Sequence, residues 1–168
     1  MAIRPIIELP DPILRQVSKP VDIYDPATPQ LITDLRDTLH LGSTRGVGLA
    51  AVQIGELKRA LLVHDVLVIN PTVIQDSLST NSVIEGCLSV DGERRRIKRA
   101  NGRIIAFVTD SQSLAFKGVA IFFSSLEPIE NSELFNVSAT FSGLESIILQ
   151  HEMDHLDGVL LIDHEEYE

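Results

Sequence analysis

Two histidines four residues apart, in Gln150-His151-Glu152-Met153-Asp154-His155-Leu156, and the only cysteine, Cys87 in Glu85-Gly86-Cys87-Leu88-Ser89, are the residues best suited to chemistry. On an α-helix, at about 100° per residue, a four-residue step leaves the two imidazoles about 40° apart and one turn above the other, so both can grip one ion. A thiolate added to them makes three protein ligands, and a tetrahedral ion then keeps one open position, as catalytic sites do and structural sites do not. Glu152, beside the first histidine, can reach a water at that position and take its proton, as in other His-Glu-x-x-His sites. The chemistry implied is metal-assisted hydrolysis, with Glu152 as general base.

Neither half of this pattern is decisive alone. Three fixed residues with two wildcards recur by chance about once per several thousand residues. A lone cysteine is a buried small hydrophobe, a ligand or a nucleophile, and its count does not choose among these. The setting of the histidines favours the motif, because two inward-facing imidazoles without partners would be a costly choice for an apolar helix.

The chain has 168 residues, 44% of them hydrophobic, which suits one domain, spanning 1–168, with a core that needs no crosslinks. Fourteen Lys and Arg against 24 Asp and Glu give a net charge of −10, which argues against nucleic acid as direct substrate. The basic run Arg94-Arg95-Arg96-Ile97-Lys98-Arg99 reads as a solvated face or as making a few anion contacts. No segment approaches the roughly 20 apolar residues of a spanning helix, and the start lacks a secretory signal, so a soluble cytoplasmic protein with no membrane association is expected.

The elements that would position these residues follow from the pattern. Asp11 before Pro12 is a helix start, and Leu31, Leu35 and Leu39 form the core face of an amphipathic helix over 30–41. The small residues of Gly46-Val47-Gly48-Leu49-Ala50-Ala51-Val52-Gln53 let other atoms approach the backbone closely. Residues 60–64, 66–69, 104–108 and 119–123 read as strands, with Asn70-Pro71 closing the second, a turn over 110–113 and a loop over 126–133. Ser142, with Glu145 three residues on, has the form of a capping box opening the histidine-bearing helix. His40, His64 and His164 lack ligand-like neighbours in sequence and are assigned to structure or surface.

Three segments, Gly46 to Gln53, Glu85 to Ser89 and Gln150 to His155, resemble the three signature motifs of peptide deformylases, in that family's order, and Leu9-Pro10-Asp11-Pro12-Ile13-Leu14-Arg15 is similar to its usual start. The resemblance covers most of the chain outside about 95–135. It implies an α+β fold, with small antiparallel sheets packed around a central helix that carries the His-Glu-x-x-His motif. It implies removal of the formyl group from the N-terminal formyl-methionine of nascent polypeptides, releasing formate. Cys87, His151 and His155 match the metal ligands, Glu152 the acid/base, and Gln53 with the backbone N–H of Leu88 the groups that hold the formyl oxygen. Val47, Val83, Leu144, Ile147 and Ile148 would build the methionine slot, Gly48 would pair with the substrate backbone, and Arg94 would bind the peptide main chain. The cofactor implied is one divalent ion, Fe²⁺ in the cell, with Zn²⁺, Ni²⁺ or Co²⁺ accommodated by the same ligands.

Several departures accompany the resemblance. Val52 and Asp91 stand where prolines are frequent, and Cys87 and His151 lie 64 positions apart, more than is usual. The excess falls in Ser113 to Asn136, read as a tolerated surface insertion or a β-hairpin near the groove. Some members engage the ribosome through a longer basic C-terminal helix, and the short acidic end Asp163-His164-Glu165-Glu166-Tyr167-Glu168 runs against that contact. Two other readings stand beside this one: a metallopeptidase, against which a cysteine ligand argues, and a catalytically silent relative that binds N-termini, against which the intact ligand, base and glutamine set argues.

Overall fold

Asp11 caps a 3₁₀ turn at Pro12–Arg15, its side chain accepting from the Ile13 backbone N–H, as the Asp-Pro pair predicts. The computed structural model describes residues 3–43, 45–116 and 120–168. Helix α1 is Thr28–Leu41, opening two residues earlier than expected because Pro29, fixed near helical φ and needing no N–H partner, fits its first turn. Leu35 and Leu39 are buried and Leu31 half-buried, so the expected face points inward.

Strand β1 (Gly48–Ala50) leads into a 3₁₀ turn at Ala51–Ile54, then β2 (Ala60–Val63) and β3 (Val66–Asp76) follow. The Asn70-Pro71 pair does not end β3. Asn70 takes φ 51°, the pairing with the next strand shifts register between Ile69 and Thr72, and the strand continues to Asp76. A bulge absorbs the proline, which has no N–H for the ladder. Strands β4 (Thr80–Cys87) and β5 (Val90–Ala100), not anticipated from the pattern, form a separate two-stranded hairpin. Strand β6 (Gly102–Asp110) leads to a short helix α2 (Ser111–Leu114) where a turn was expected, with the Asp110 carboxylate capping the Ser113 N–H.

Strand β7 (Ile121–Pro128) reaches into the expected loop, β8 (Leu134–Ser142) follows, and α3 (Gly143–Leu156) carries both histidines. Val119, expected in the first of these strands, lies outside the described residues. Ser142 precedes α3 but makes no side-chain cap bond, so the capping box is not formed. The entry is fixed instead by the Gly143 N–H donating to the Asn101 carbonyl.

The larger sheet is antiparallel in the order β1-β2-β3-β6-β8-β7. One face packs Leu61, Val68, Phe107 and Phe141 against Ile148, Leu149, Met153 and Leu156 of α3. The other packs Leu62, Leu67 and Ile69 against Leu35 and Leu39 of α1. Covered on both faces, β2 and the start of β3 read as unbroken apolar runs rather than as alternation. Helix α3 is enclosed rather than one-sided: ten of its fourteen residues are buried. Two of its polar residues bond to β5: Gln150 exchanges hydrogen bonds with both the N–H (3.1 Å) and the carbonyl (2.8 Å) of Ala100, and Ser146 donates to that carbonyl. The architecture is α+β, antiparallel sheets around a central helix, as expected.

Candidate metal centre and groove

The hairpin ends at Cys87, paired across its turn with Val90, and there it meets α3: Cys87 Sγ lies 3.3 Å from His155 Nε2. The rings of His151 and His155 stand edge to face with centroids 5.1 Å apart, as the one-turn spacing requires. His151 Nδ1 lies 2.8 Å from Glu85 Oε2, which orients that ring. One donor atom from each of Cys87, His151 and His155 falls within 4.8 Å of the others. A tetrahedral ion with bonds of about 2.3 Å to sulfur and 2.0–2.1 Å to nitrogen holds such donors about 3.6 Å apart, so the cluster has the span of one ion.

Electrostatics favour a cation here. Burial opposes charge on His151, but the Cys87 thiol, Glu85 and Glu152 overcome it and hold its pKa up at about 10. Burial, then the neighbouring His151, pushes His155 down to about 3, so that ring stays a neutral donor. A divalent ion would satisfy the same anionic surroundings that hold the His151 proton. Glu152 is buried beside the cluster, and burial, with Glu85 and Asp154 adding repulsion, pushes it up to about 7 against the attraction of His151 and Arg99. Glu152 Oε2 and His155 Nδ1 are buried without a hydrogen-bond partner among the described residues. A carboxylate with a free buried oxygen next to three convergent donors fits a site that receives an ion and a reacting molecule.

Gln53, 2% exposed, sits on the Ala51–Ile54 turn with Oε1 accepting from the Ala50 N–H at 2.8 Å and Nε2 donating to Ser89 Oγ at 3.1 Å. The same nitrogen lies 3.9 Å from Cys87 Sγ. Gly48 of β1 runs against Glu152: a Cβ there would fall 2.5 Å from Glu152 Oε1. A Cβ at Gly86 would collide with the Arg94 guanidinium, which lies across that residue.

A groove of about 650 Å³ opens over this centre. Its lining includes Cys87, Leu88, His151, Glu152 and Gln53 together with Val47, Gly48, Arg94, Leu144, Ile147 and Ile148. His155 lies deeper, 1% exposed. Val83 is the exception among the expected residues: it does not line the groove, being paired across the hairpin with buried Ile97, and its neighbour Ile84 forms the wall instead. Alternation along β4 separates the two. Glu8, Arg45, Asp91 and Glu93 also line the groove and were not anticipated, since loops and a strand turn bring them there.

The supporting residues Glu85, Arg99 and Asp154 escaped sequence reasoning too. Arg99, almost wholly buried, holds Glu85 in a bidentate pair at 2.6 and 2.8 Å and reaches Asp154 at 2.7 Å. A carboxylate behind a ligating histidine is a common arrangement, but identifying this one requires the β4–β5 register, which the sequence pattern did not reveal.

Three convergent donors, an adjacent buried acid and a groove with apolar walls define the class as a metal-dependent hydrolase. Residues 3–114 and 129–167 match the polypeptide deformylase family, and the chain belongs to that family. It is 33% identical over 174 residues to the peptide deformylase of Brucella suis biovar 1, spanning 98% of this chain and 85% of that protein. The crystal structure of peptide deformylase from Thermotoga maritima superposes with TM-score 0.77 at 27% identity, covering 99% of this chain and 100% of that one. A Met-Ala-Ser-bound class I type b peptide deformylase from Acinetobacter baumannii gives TM-score 0.76 at 25% identity, over 98% and 99%. The unmatched residues 115–128 fall within the span 113–136 where excess length was expected. Within it β7 adds to the outer side of β8, and its described residues do not line the groove.

Proposed function

We propose that the chain removes the formyl group from N-terminal formyl-methionine of nascent polypeptides, with Cys87, His151 and His155 holding one divalent ion and Glu152 moving the proton. When bound, the ion supplies Lewis acidity, activating water and polarising the formyl oxygen. Glu152, buried beside the ligands, accepts a proton from the attacking water and returns it to the departing methionine amine. The Gln53 side-chain amide and the Leu88 N–H donate to the formyl oxygen as negative charge develops on it. Val47, Leu144, Ile147 and Ile148 take the methionine side chain, Gly48 aligns the substrate backbone, and Arg94 binds the peptide main chain. Val83 takes no part in that slot.

The observation that carries this reading is the convergence of the three donors at the floor of the groove with Glu152 beside them. The test is formate release from formyl-Met-Ala-Ser against cleavage of the unformylated peptide. Turnover confined to the formylated peptide, and lost on Glu152→Gln, supports it; cleavage of the unformylated peptide overturns it in favour of a peptidase. Fe²⁺ is the ion we assign in the cell, from the family resemblance and a thiolate and imidazole set that also suits Zn²⁺, Ni²⁺ and Co²⁺. Anaerobic purification with metal analysis tests that. The half-buried free thiol supports a reducing, cytoplasmic location, and among the described residues no helix is long and apolar enough to cross a membrane.

A further inference from the structure

The C-terminal segment beyond α3 is held against β5 by the basic run that the sequence suggested was solvated. Arg95 Nη1 donates to the carbonyls of Ile162 and His164, both at 3.0 Å. The Tyr167 N–H donates to the Arg96 carbonyl at 2.7 Å, and Lys98 Nζ sits 5.3 Å from the centroid of the Tyr167 ring. Docked this way, His164 brings Nε2 to 2.7 Å from Asp154 Oδ2. That oxygen also accepts from Arg99 Nη1 at 2.7 Å. Arg99 Nη2 in turn donates to Glu85 Oε2 at 2.8 Å, the same atom that lies 2.8 Å from His151 Nδ1.

From these contacts we infer that His164 is a positioning residue for the metal centre, acting on the His151 ring through Asp154, Arg99 and Glu85. The physical reason lies in what fixes each group. Glu85 Oε2 sets the orientation of His151, and the planar guanidinium of Arg99 sets Glu85 through two parallel bonds. Among the described residues, only the third bond of Arg99, to Asp154, ties this buried pair to the outer surface of α3. Asp154 is half-exposed and would reorient toward water without a second donor; His164 supplies that donor from a backbone that Arg95 clamps. Two other cations of β5 are engaged elsewhere, Arg95 with the tail carbonyls and Lys98 with Tyr167. The imidazole therefore acts as the outer end of a chain of four side-chain contacts that reaches the His151 ring.

This inference rests on the metal-centre reading above, and one experiment separates the two. Full-length apo protein is titrated with Co²⁺ in competition with a chromophoric chelator, recording the thiolate-to-cobalt charge-transfer band and the ligand-field bands. Absence of a thiolate band in the unsubstituted protein overturns the metal reading itself. With the band present, His164→Phe, which keeps an aromatic ring and removes the donor, is expected to weaken Co²⁺ binding about tenfold, the lower end for outer-sphere partners, and to shift the ligand-field bands. His164→Gln, whose amide can donate to Asp154, is expected to restore affinity to within about threefold of the parent, allowing for imperfect amide geometry. Tyr167→Ala loosens tail packing without touching the relay, and is expected to lower Tm with affinity and spectrum unchanged. Parent-like affinity and spectrum in His164→Phe overturn the inference, as does equal loss in Tyr167→Ala, which would assign the effect to tail docking alone. If His164→Phe does not fold, His164→Gln decides: it must fold and bind as the parent does.

Discussion

Gly48→Ala tests how tightly β1 constrains the acid beneath it. The added Cβ would sit 2.5 Å from Glu152 Oε1, 2.8 Å from its Cγ and 2.9 Å from its Cδ. Ordinary contact begins at 3.4 Å, so the carboxylate must retreat by about 0.9 Å, the difference between 3.4 and 2.5. Glu152 is enclosed by α3 and the groove floor, and a displacement near 1 Å of a reacting group costs about 10² in rate, or about 2.7 kcal/mol of barrier. We expect kcat for formyl-Met-Ala-Ser to fall about a hundredfold with KM changed much less. Metal content should be retained, since the three atoms the methyl meets first all belong to Glu152. Overpacking of about 1–3 kcal/mol should lower Tm by several degrees. A kcat within threefold of the parent would refute the argument. A purely raised KM would show that the methyl obstructs the groove instead of moving the acid.

Gln53→Ala removes a proposed oxyanion donor and should lower kcat by about 10²–10³ while the protein stays folded, measured by formate release beside circular dichroism. Glu85→Ala strips His151 of its orienting partner and leaves Arg99 buried with one acid fewer; metal affinity should fall about 10–100-fold, read by chelator competition, and unfolding stability should fall by about 3–5 kcal/mol, read in urea. Burial opposes charge on Asp110, but hydrogen bonds from Arg36 and Ser113 overcome it and hold its pKa below the usual carboxylate range; Arg99 and His151 do the same for Glu85. Because these folded values are depressed, the stability they confer is complete above the unfolded carboxylate range and lost as pH falls through the folded values. The contribution of these two carboxylates to Tm should therefore hold level down to about pH 5 and fall away below about pH 4. In Asp110→Asn, Tm at neutral pH should be lower and the acid-induced drop smaller; an unchanged drop would remove Asp110 from the balance.

The histidine pair was legible because helical geometry ties a four-residue spacing to a shared face, and the cysteine because its motif belongs to the family resemblance. Strands β2 and β6 were legible as apolar runs. The hairpin of β4 and β5 was not, since its charged and half-exposed residues, among them Arg94 to Arg99, carry neither period clearly. Missing that hairpin concealed its cross-strand register and with it the placement of Val83, Glu85 and Arg99. Asn70-Pro71 misled for the opposite reason: a local breaker signal was overridden by a bulge that tertiary pairing stabilises. The role of the acidic tail depends on long-range contacts with β5, for which no local pattern exists.

Strand β7 occupies the outermost place in the large sheet, beyond β8 and on the side away from β1, which contributes to the groove. A ladder accepts a new neighbour by supplying backbone bonds, with no demand on the side chains at its opposite end. The far margin is therefore where a grafted strand would meet backbone donors and acceptors without touching the groove.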